Sequence, residues 1–213
     1  MEEKEIKIGK QIWMTENLNV DMFCNGDTIP EARSNEEWAL AGINKQPAWC
    51  FFNNNPQTTG ENTGRLYNWY AVIDPRGLAP KGWRVPKIAD WSSLLNSLSK
   101  KDKYGFWITE SQMKSGYWGE YDNPTNTSGF TALPNGYRCG TKYKGDQAYY
   151  DEHTKFYGFP PLGTYTYYAY WWSSSVHEND NPISIELAEG GKGSVRSYNQ
   201  MGKEAGLAVR CIR

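Results

Sequence analysis

Gly64-Arg65-Leu66-Tyr67-Asn68-Trp69 and Gly82-Trp83-Arg84-Val85-Pro86, with Trp91 following, carry the strongest fold signal in the chain. Leu66, Trp69, Tyr70 and Ile73 fall at i, i+3, i+4 and i+7, the spacing of one helical face. Asp74-Pro75 ends that helix, because a residue before proline is biased away from helical backbone. A second helix is predicted from near Pro86, where a missing amide proton costs nothing. Ile88, Trp91, Leu95 and Leu98 give it a buried stripe, and residues 100–103 a solvated end. Trp69 and Trp91 are expected to face one another across the core, with Trp83 nearby.

Outward from these helices the signals are shorter. Ile6, Ile8 and Gln11-Ile12-Trp13-Met14 flank Gly9-Lys10 as a hairpin. Ser34-Asn35-Glu36-Glu37 is a capping box, so a helix is predicted through Trp38 and Leu40 to Gly42. Ala48-Trp49-Cys50-Phe51-Phe52 reads as a compact apolar strand. Beyond Gly105 the helical period vanishes and turn signals recur at Asp122-Asn123-Pro124, Pro134-Asn135-Gly136 and Glu189-Gly190-Gly191. Short strands are predicted at 129–133, 170–175, 183–187, 193–198 and 208–212. The expectation is one α+β domain over residues 1–213, with early helices, an irregular antiparallel sheet and a loop-rich C-terminal half.

The 213 residues include 10 Trp, 15 Tyr and 7 Phe, so large rings rather than aliphatics must fill much of the core. A net charge of −1 gives no electrostatic reason to expect nucleic acid or an anionic membrane as partner. No apolar run is long enough to span a bilayer. Met1-Glu2-Glu3-Lys4 lacks an apolar leader segment, which fits a cytoplasmic protein or one whose leader has been removed. Four cysteines (Cys24, Cys50, Cys139, Cys211) permit three full pairings. Cys24 and Cys50 are the pair closest in sequence, and four free thiols are the competing outcome. With no Cys-x-x-Cys and only His153 and His177, neither a structural zinc site nor any other metal or cofactor is expected.

Six stretches occur in order from the first residues to the last: Gly9-Lys10-Gln11-Ile12-Trp13-Met14-Thr15-Glu16-Asn17-Leu18, the Gly64 and Ala79-Pro80-Lys81-Gly82-Trp83 blocks, Ser128-Gly129-Phe130-Thr131-Ala132-Leu133-Pro134-Asn135-Gly136-Tyr137-Arg138, Trp172-Ser173-Ser174-Ser175, and Val209-Arg210-Cys211. In these the chain resembles the Fibrobacter succinogenes major paralogous domain family. The resemblance implies a C-type-lectin-like fold, distantly similar to formylglycine-generating-enzyme domains. It also implies secreted or lipid-anchored display on the cell surface, with a lipid anchor upstream of Met1 fitting that location. The family has no established activity. Members commonly carry a second cysteine between the Cys50 strand and Gly64; residues 53–63 hold none, which leaves the local disulfide without a partner. The aromatic stretch from Tyr143 to Tyr170 is longer than the family pattern and points to member-specific recognition.

Catalytic and metal-binding signals are weak. The Glu-Pro-Asn and Gln-Pro-Asp tripeptides of calcium-dependent sugar binders are absent, and Glu178-Asn179-Asp180-Asn181-Pro182 reads as a solvated turn. Formylglycine-generating enzymes hold copper(I) on a closely spaced cysteine pair, whereas Cys139 and Cys211 are far apart in sequence. Buried, inert thiols or a structural disulfide explain them better. Ser173-Ser174-Ser175 near His177 reads as a strand edge followed by a surface loop.

The strongest functional signal is the run of twelve rings from Tyr143 to Trp172, interleaved with Gly145, Gly158, Gly163 and Pro160-Pro161. No regular strand places them all on one face, so some should be accessible. The competing view is that they pack the loop onto the domain. Tyrosine and tryptophan combine broad apolar contact with a polar tip, which suits sugar faces and protein partners. Tyr149, Tyr150, Tyr157 and Tyr165 are the candidate ligand-binding residues. At least one of Tyr170, Trp171 and Trp172 should be buried. The expectation is a non-catalytic extracytoplasmic binding or adhesion module for a glycan or a cell-surface protein. An oxidase-related enzyme and a self-associating surface subunit are the alternatives.

Overall fold

The computed structural model describes residues 4–57, 63–98, 109–115, 118, 124–140, 142–144, 147–149, 156–157, 168–188, 195–198 and 201–213. The architecture is α+β, with short helices and antiparallel strand pairs. None of the described helices is long and apolar enough to cross a membrane.

The chain opens with the predicted hairpin, β1 (Glu5–Ile8) against β2 (Gln11–Met14). Gly9 turns it at φ +60. Helix α1 (Asn35–Ile43) starts at Ser34, whose hydroxyl accepts from the Glu37 amide at 3.2 Å. The Glu37 carboxylate accepts from Arg33 N rather than from Ser34 N, so the box is displaced by one residue. Leu40 lies on the outer face of the helix, 57% exposed.

β3 (Trp49–Cys50) is shorter than the predicted strand, because the chain turns into a 3-10 segment at Phe52–Asn54. It pairs with β4 (Leu66–Tyr67), where a helix was expected. Helix α2 covers only Trp69–Val72, capped by the Asn68 side chain, and Ile73 is exposed. Leu66 and Tyr67 are drawn out of the helix by strand partners on both sides. Tyr67 exchanges backbone hydrogen bonds with Leu207, and Cys50 lies opposite Leu66. Gly64 sits at φ +74, and a Cβ there would come within 2.8 Å of the Leu18 carbonyl. That close approach accounts for the glycine that opens the Gly64–Trp69 block.

Helix α3 (Ile88–Leu98) follows Pro86 as predicted and buries Trp91, Leu94 and Leu98; Ile88 and Leu95 pack at its margin. The short helix α4 (Thr109–Met113) was not foreseen. Residues 129–133 form a bonded loop with one parallel bridge, Lys114 to Ala132, rather than a strand.

The later strands are β5 (Tyr137–Arg138), β6 (Lys142–Lys144), β7 (Gln147–Tyr149), β8 (Phe156–Tyr157), β9 (Tyr168–Val176), β10 (Pro182–Ala188) and β11 (Val195–Tyr198). β5 pairs β8, β6 pairs β7, and β11-β10-β9 form the largest sheet. The far edge of β9 takes the C-terminal segment, with Trp172 N donating to Ala208 O at 3.0 Å. That segment also bridges Tyr67, Trp13 and Arg84, so residues 205–212 run through the centre as isolated bridges rather than the regular strand expected at 208–212.

Successive side chains of a strand point to opposite faces, and β9 divides the core accordingly. Ala169 and Trp171 join Trp13, Trp91, Phe130, Ile185 and Leu187 on one side. Tyr170 and Trp172 join Tyr67, Trp69, Leu207 and Val209 on the other. Trp69 packs on Trp172 and Trp91 on Trp13 and Trp171, so the two helices do not share a face of the core. Trp83 lies under the Arg213 guanidinium instead. The expected Trp69–Trp91 pairing is therefore corrected: the sheet stands between them.

Candidate functional site

Most buried polar side chains have structural partners. Arg138 is fully buried between Trp38 and Phe156, and donates to Asn54 Oδ1, Asn35 Oδ1 and the Ser34 carbonyl. Its contact also reaches Cys50, whose thiol burial pushes up to about 11. Arg210 is fully buried beside Phe130 and Trp171, and donates to Asn17 Oδ1 and to the Met14 and Phe130 carbonyls. Burial pulls its guanidinium down to about 9, still charged at neutral pH. Lys114 donates to the Ala188 carbonyl over the Trp118 ring. These cations position loops and are shielded from any substrate.

The serine–histidine pairing dissolves in the structure. Ser173 accepts from the Ser175 amide, Ser174 donates to the Val85 and Pro86 carbonyls, and Ser175 accepts from Ile88 N at the start of α3. His177 is exposed and meets Asn179 within the 177–181 turn. Asp180 there pairs with Lys203 at 2.5 Å. Among the described residues no three His, Cys, Asp or Glu side chains come together as a metal site. No disulfide joins Cys24, which is exposed, to Cys50, which is buried; Cys211 is buried as well.

The aromatic segment is anchored where it leaves the domain and again through β8. Gly136 N donates to Tyr168 O at 2.9 Å, and Gly136 bridges Ala169 in parallel register. Asn135 clamps the far side: its amide donates to Tyr170 O, and its oxygen accepts from Tyr170 N. β8 returns to pair with β5. Phe156 packs inward against Phe52, with ring centroids 5.1 Å apart.

At this anchor three tyrosines cluster, and the central one meets a carboxylate. Tyr137 and Tyr170 have centroids 4.7 Å apart, and Tyr168 and Tyr170 5.9 Å. Tyr170 Oη donates to Glu186 Oε2 at 2.5 Å, across the β9–β10 register that sets these residues opposite one another. Burial, then the Glu186 hydrogen bond, raises the Tyr170 phenol well above its usual range, so it stays protonated. Tyr137, Tyr168 and Glu186 are half-buried, each keeping part of its surface open.

Of the four predicted ligand residues, Tyr149 lies in β7 and Tyr157 in β8, but their side chains fall outside the described residues. Tyr150 and Tyr165 lie wholly outside them. Tyr170, Trp171 and Trp172 are all buried, as the strand after the insertion requires. The Glu186 contact was missed by sequence reasoning. Its only signal is the polar alternation of Ser184 and Glu186 between Ile183, Ile185 and Leu187.

Two open clefts lie elsewhere. One, of about 340 Å³, is lined by Val20, Met22, Phe23, Cys24, Leu78 and Pro80 among others. The other, of about 190 Å³, runs beside α1 and includes Leu40 and Pro47.

The model of the Fibrobacter succinogenes major domain matches residues 6–213. No curated protein and no solved structure matches the chain. The chain belongs to the Fibrobacter succinogenes major domain family.

Proposed function

We propose that this member of the Fibrobacter succinogenes major domain family is a non-catalytic binding or adhesion module, displayed outside the cytoplasm by secretion or a lipid anchor. Carbohydrate is the first partner class and a cell-surface protein the second. The fold reading that goes with this is C-type-lectin-like, with a distant kinship to formylglycine-generating-enzyme domains. It is supported by the pairing of the N-terminal hairpin with the C-terminal segment, where Ile12 and Arg213 exchange backbone hydrogen bonds at 3.3 and 2.9 Å.

The observation that carries the binding role is the anchor of the aromatic segment. Its two ends meet at Gly136 and Ala169. Within it Phe156 packs against the hydrophobic core. A segment so joined leaves the scaffold intact while its length and rings vary, which is how recognition loops are carried.

The test is to present the labelled chain to an array of glycans and extracellular proteins, with and without calcium. Saturable retention on members of either class is expected. Retention on neither overturns the module reading.

A further inference from the structure

We infer that the half-open surface formed by Tyr137, Tyr168 and Glu186 over the buried Tyr170 is a calcium-independent subsite for a neutral sugar ring. This rests on the module reading above and names its ligand chemistry. The observations are geometric. Tyr168 and Glu186 lie on one face of the β9–β10 sheet, with Tyr170 directly opposite Glu186 and Tyr168 opposite Ala188. Side chains on one face at such diagonal positions are within reach of a common ligand.

The polar tips are disposed for a hydroxylated ligand. Glu186 Oε2 is held by Tyr170 Oη, which fixes the carboxylate. Among the described residues nothing donates to Glu186 Oε1, and the Tyr168 phenol has no hydrogen-bond partner. A fixed carboxylate oxygen accepts from a sugar hydroxyl in a charge-assisted bond. The Tyr168 phenol both donates and accepts. The tyrosine rings offer apolar surface for the C–H face of a pyranose, with little entropy to lose.

The same geometry excludes two other ligand classes. The rings touch one another, at 4.7 and 5.9 Å between centroids. They leave no gap between ring faces for an alkylammonium, which an aromatic cage holds within about 6 Å of each centroid. An acidic sugar would bring a second carboxylate against Glu186, and like charges repel at that range.

Titration of the full chain with neutral cello-, manno- and galacto-oligosaccharides, oligogalacturonides and tetramethylammonium tests this, in the presence of a calcium chelator. At least one neutral oligosaccharide should bind, and oligogalacturonides and tetramethylammonium should not. Tyr168→Ala should weaken that binding about tenfold or more, as for an anchor ring. Glu186→Gln should weaken the neutral sugar and narrow its preference over the galacturonide. Thermal unfolding of both variants, and of the milder Tyr168→Phe, keeps loss of fold apart from loss of contact. A neutral sugar that binds equally well to all three variants overturns the subsite and leaves the module reading standing. Binding that needs calcium, tetramethylammonium binding abolished by Glu186→Gln, or no sugar bound at all also overturns the subsite. The module reading itself then rests on retention by the glycan and protein array.

Discussion

Asn17 Oδ1 accepts from Arg210 Nε at 2.9 Å and, on the same oxygen, from Trp171 Nε1 at 2.8 Å. One amide thus ties the segment after the hairpin to β9 and to the buried C-terminal segment. Its Nδ2 donates to the Thr63 carbonyl, next to the Gly64 turn. Asn17→Ala leaves a guanidinium nitrogen and an indole nitrogen buried without acceptors, each costing about 1–3 kcal/mol. A total loss of about 3 kcal/mol is expected in denaturant unfolding. Asn17→Asp keeps the acceptor and adds a counter-charge for Arg210, so it should lose less than Asn17→Ala. Equal losses would show that the shared oxygen is not what holds Arg210.

Trp91 is fully buried among Trp13, Phe130 and Trp171. Trp91→Ala should cost about 3–5 kcal/mol, the range for deleting a buried aromatic. Its Nε1 has no hydrogen-bond partner. Trp91→Phe gives up contact area but no bond, so it should cost less than half as much. A loss below about 1 kcal/mol for the alanine variant would place Trp91 outside the core.

What was legible in the sequence was local. The Gly9-Lys10 hairpin, the Ser34 cap and the Pro86 helix start each depend on neighbours within a few residues. Leu66 and Tyr67 were misread because the partners that make them extended, Trp49–Cys50 on one side and Leu207 on the other, are not their neighbours in the chain. The Trp69–Trp91 pairing failed for a related reason. Both rings are buried, as expected, although Ile73 is exposed and Leu94 is buried where Leu95 was expected. But β9 separates the two rings, and helix periodicity carries no information about a later strand. The candidate site was legible only as a surplus of rings. That Tyr170 meets Glu186 follows from strand register, which no local pattern specified. The bridge between Gly136 and Ala169 that sets Tyr137 beside them is likewise non-local.

Thiol chemistry separates the cysteines. Cys24 is exposed, whereas burial pushes the Cys50 thiol up to about 11, which keeps it protonated at neutral pH. Thiolates, not thiols, react with disulfide reagents. In the native protein Cys24 should be modified quickly, and Cys50 and Cys211 only on unfolding. Under denaturing, non-reducing conditions all 4 cysteines should titrate. A count of two would reveal the Cys24–Cys50 bridge or another pairing. Because the Cys50 value is raised in the folded state, its stabilising contribution is present at neutral pH and is lost as pH rises toward 11.

At the acid end one contributing pair is Arg84 and Asp90. Both guanidinium nitrogens reach the carboxylate, at 2.6 and 2.8 Å, and Lys87 N donates to it at 2.7 Å. The Arg84 hydrogen bonds, aided by the Lys87 amide, hold the Asp90 carboxyl below its usual value. A lowered folded value means stability that is present above the ordinary carboxylate pKa, about 4, and is lost as pH falls through the folded one. Asp90→Asn should therefore flatten the acid limb of a stability–pH curve and leave the neutral-to-basic limb unchanged in shape. An unaltered acid limb would mean that the pair is solvent-screened and without weight.

The binding role is tested on rings chosen from sequence. Tyr150 adjoins Asp151 and Tyr157 adjoins Gly158, although Phe156 on the other side of Tyr157 packs into the core. Truncating an exposed anchor ring typically costs about 2 kcal/mol or more of binding energy with little change in stability. Tyr150→Ala and Tyr157→Ala should therefore unfold close to the parent protein and bind its ligand at least tenfold more weakly. Tyr170→Ala is the contrast. It removes the ring that packs on Tyr137 and the donor to Glu186, so it should lose stability first. If Tyr150→Ala and Tyr157→Ala instead lose several kcal/mol of stability and bind undiminished once folded, the segment is packing material. The search then moves to the turn at 178–182 and to the neighbourhood of Trp118, itself buried with its indole bonded to the Ala132 carbonyl.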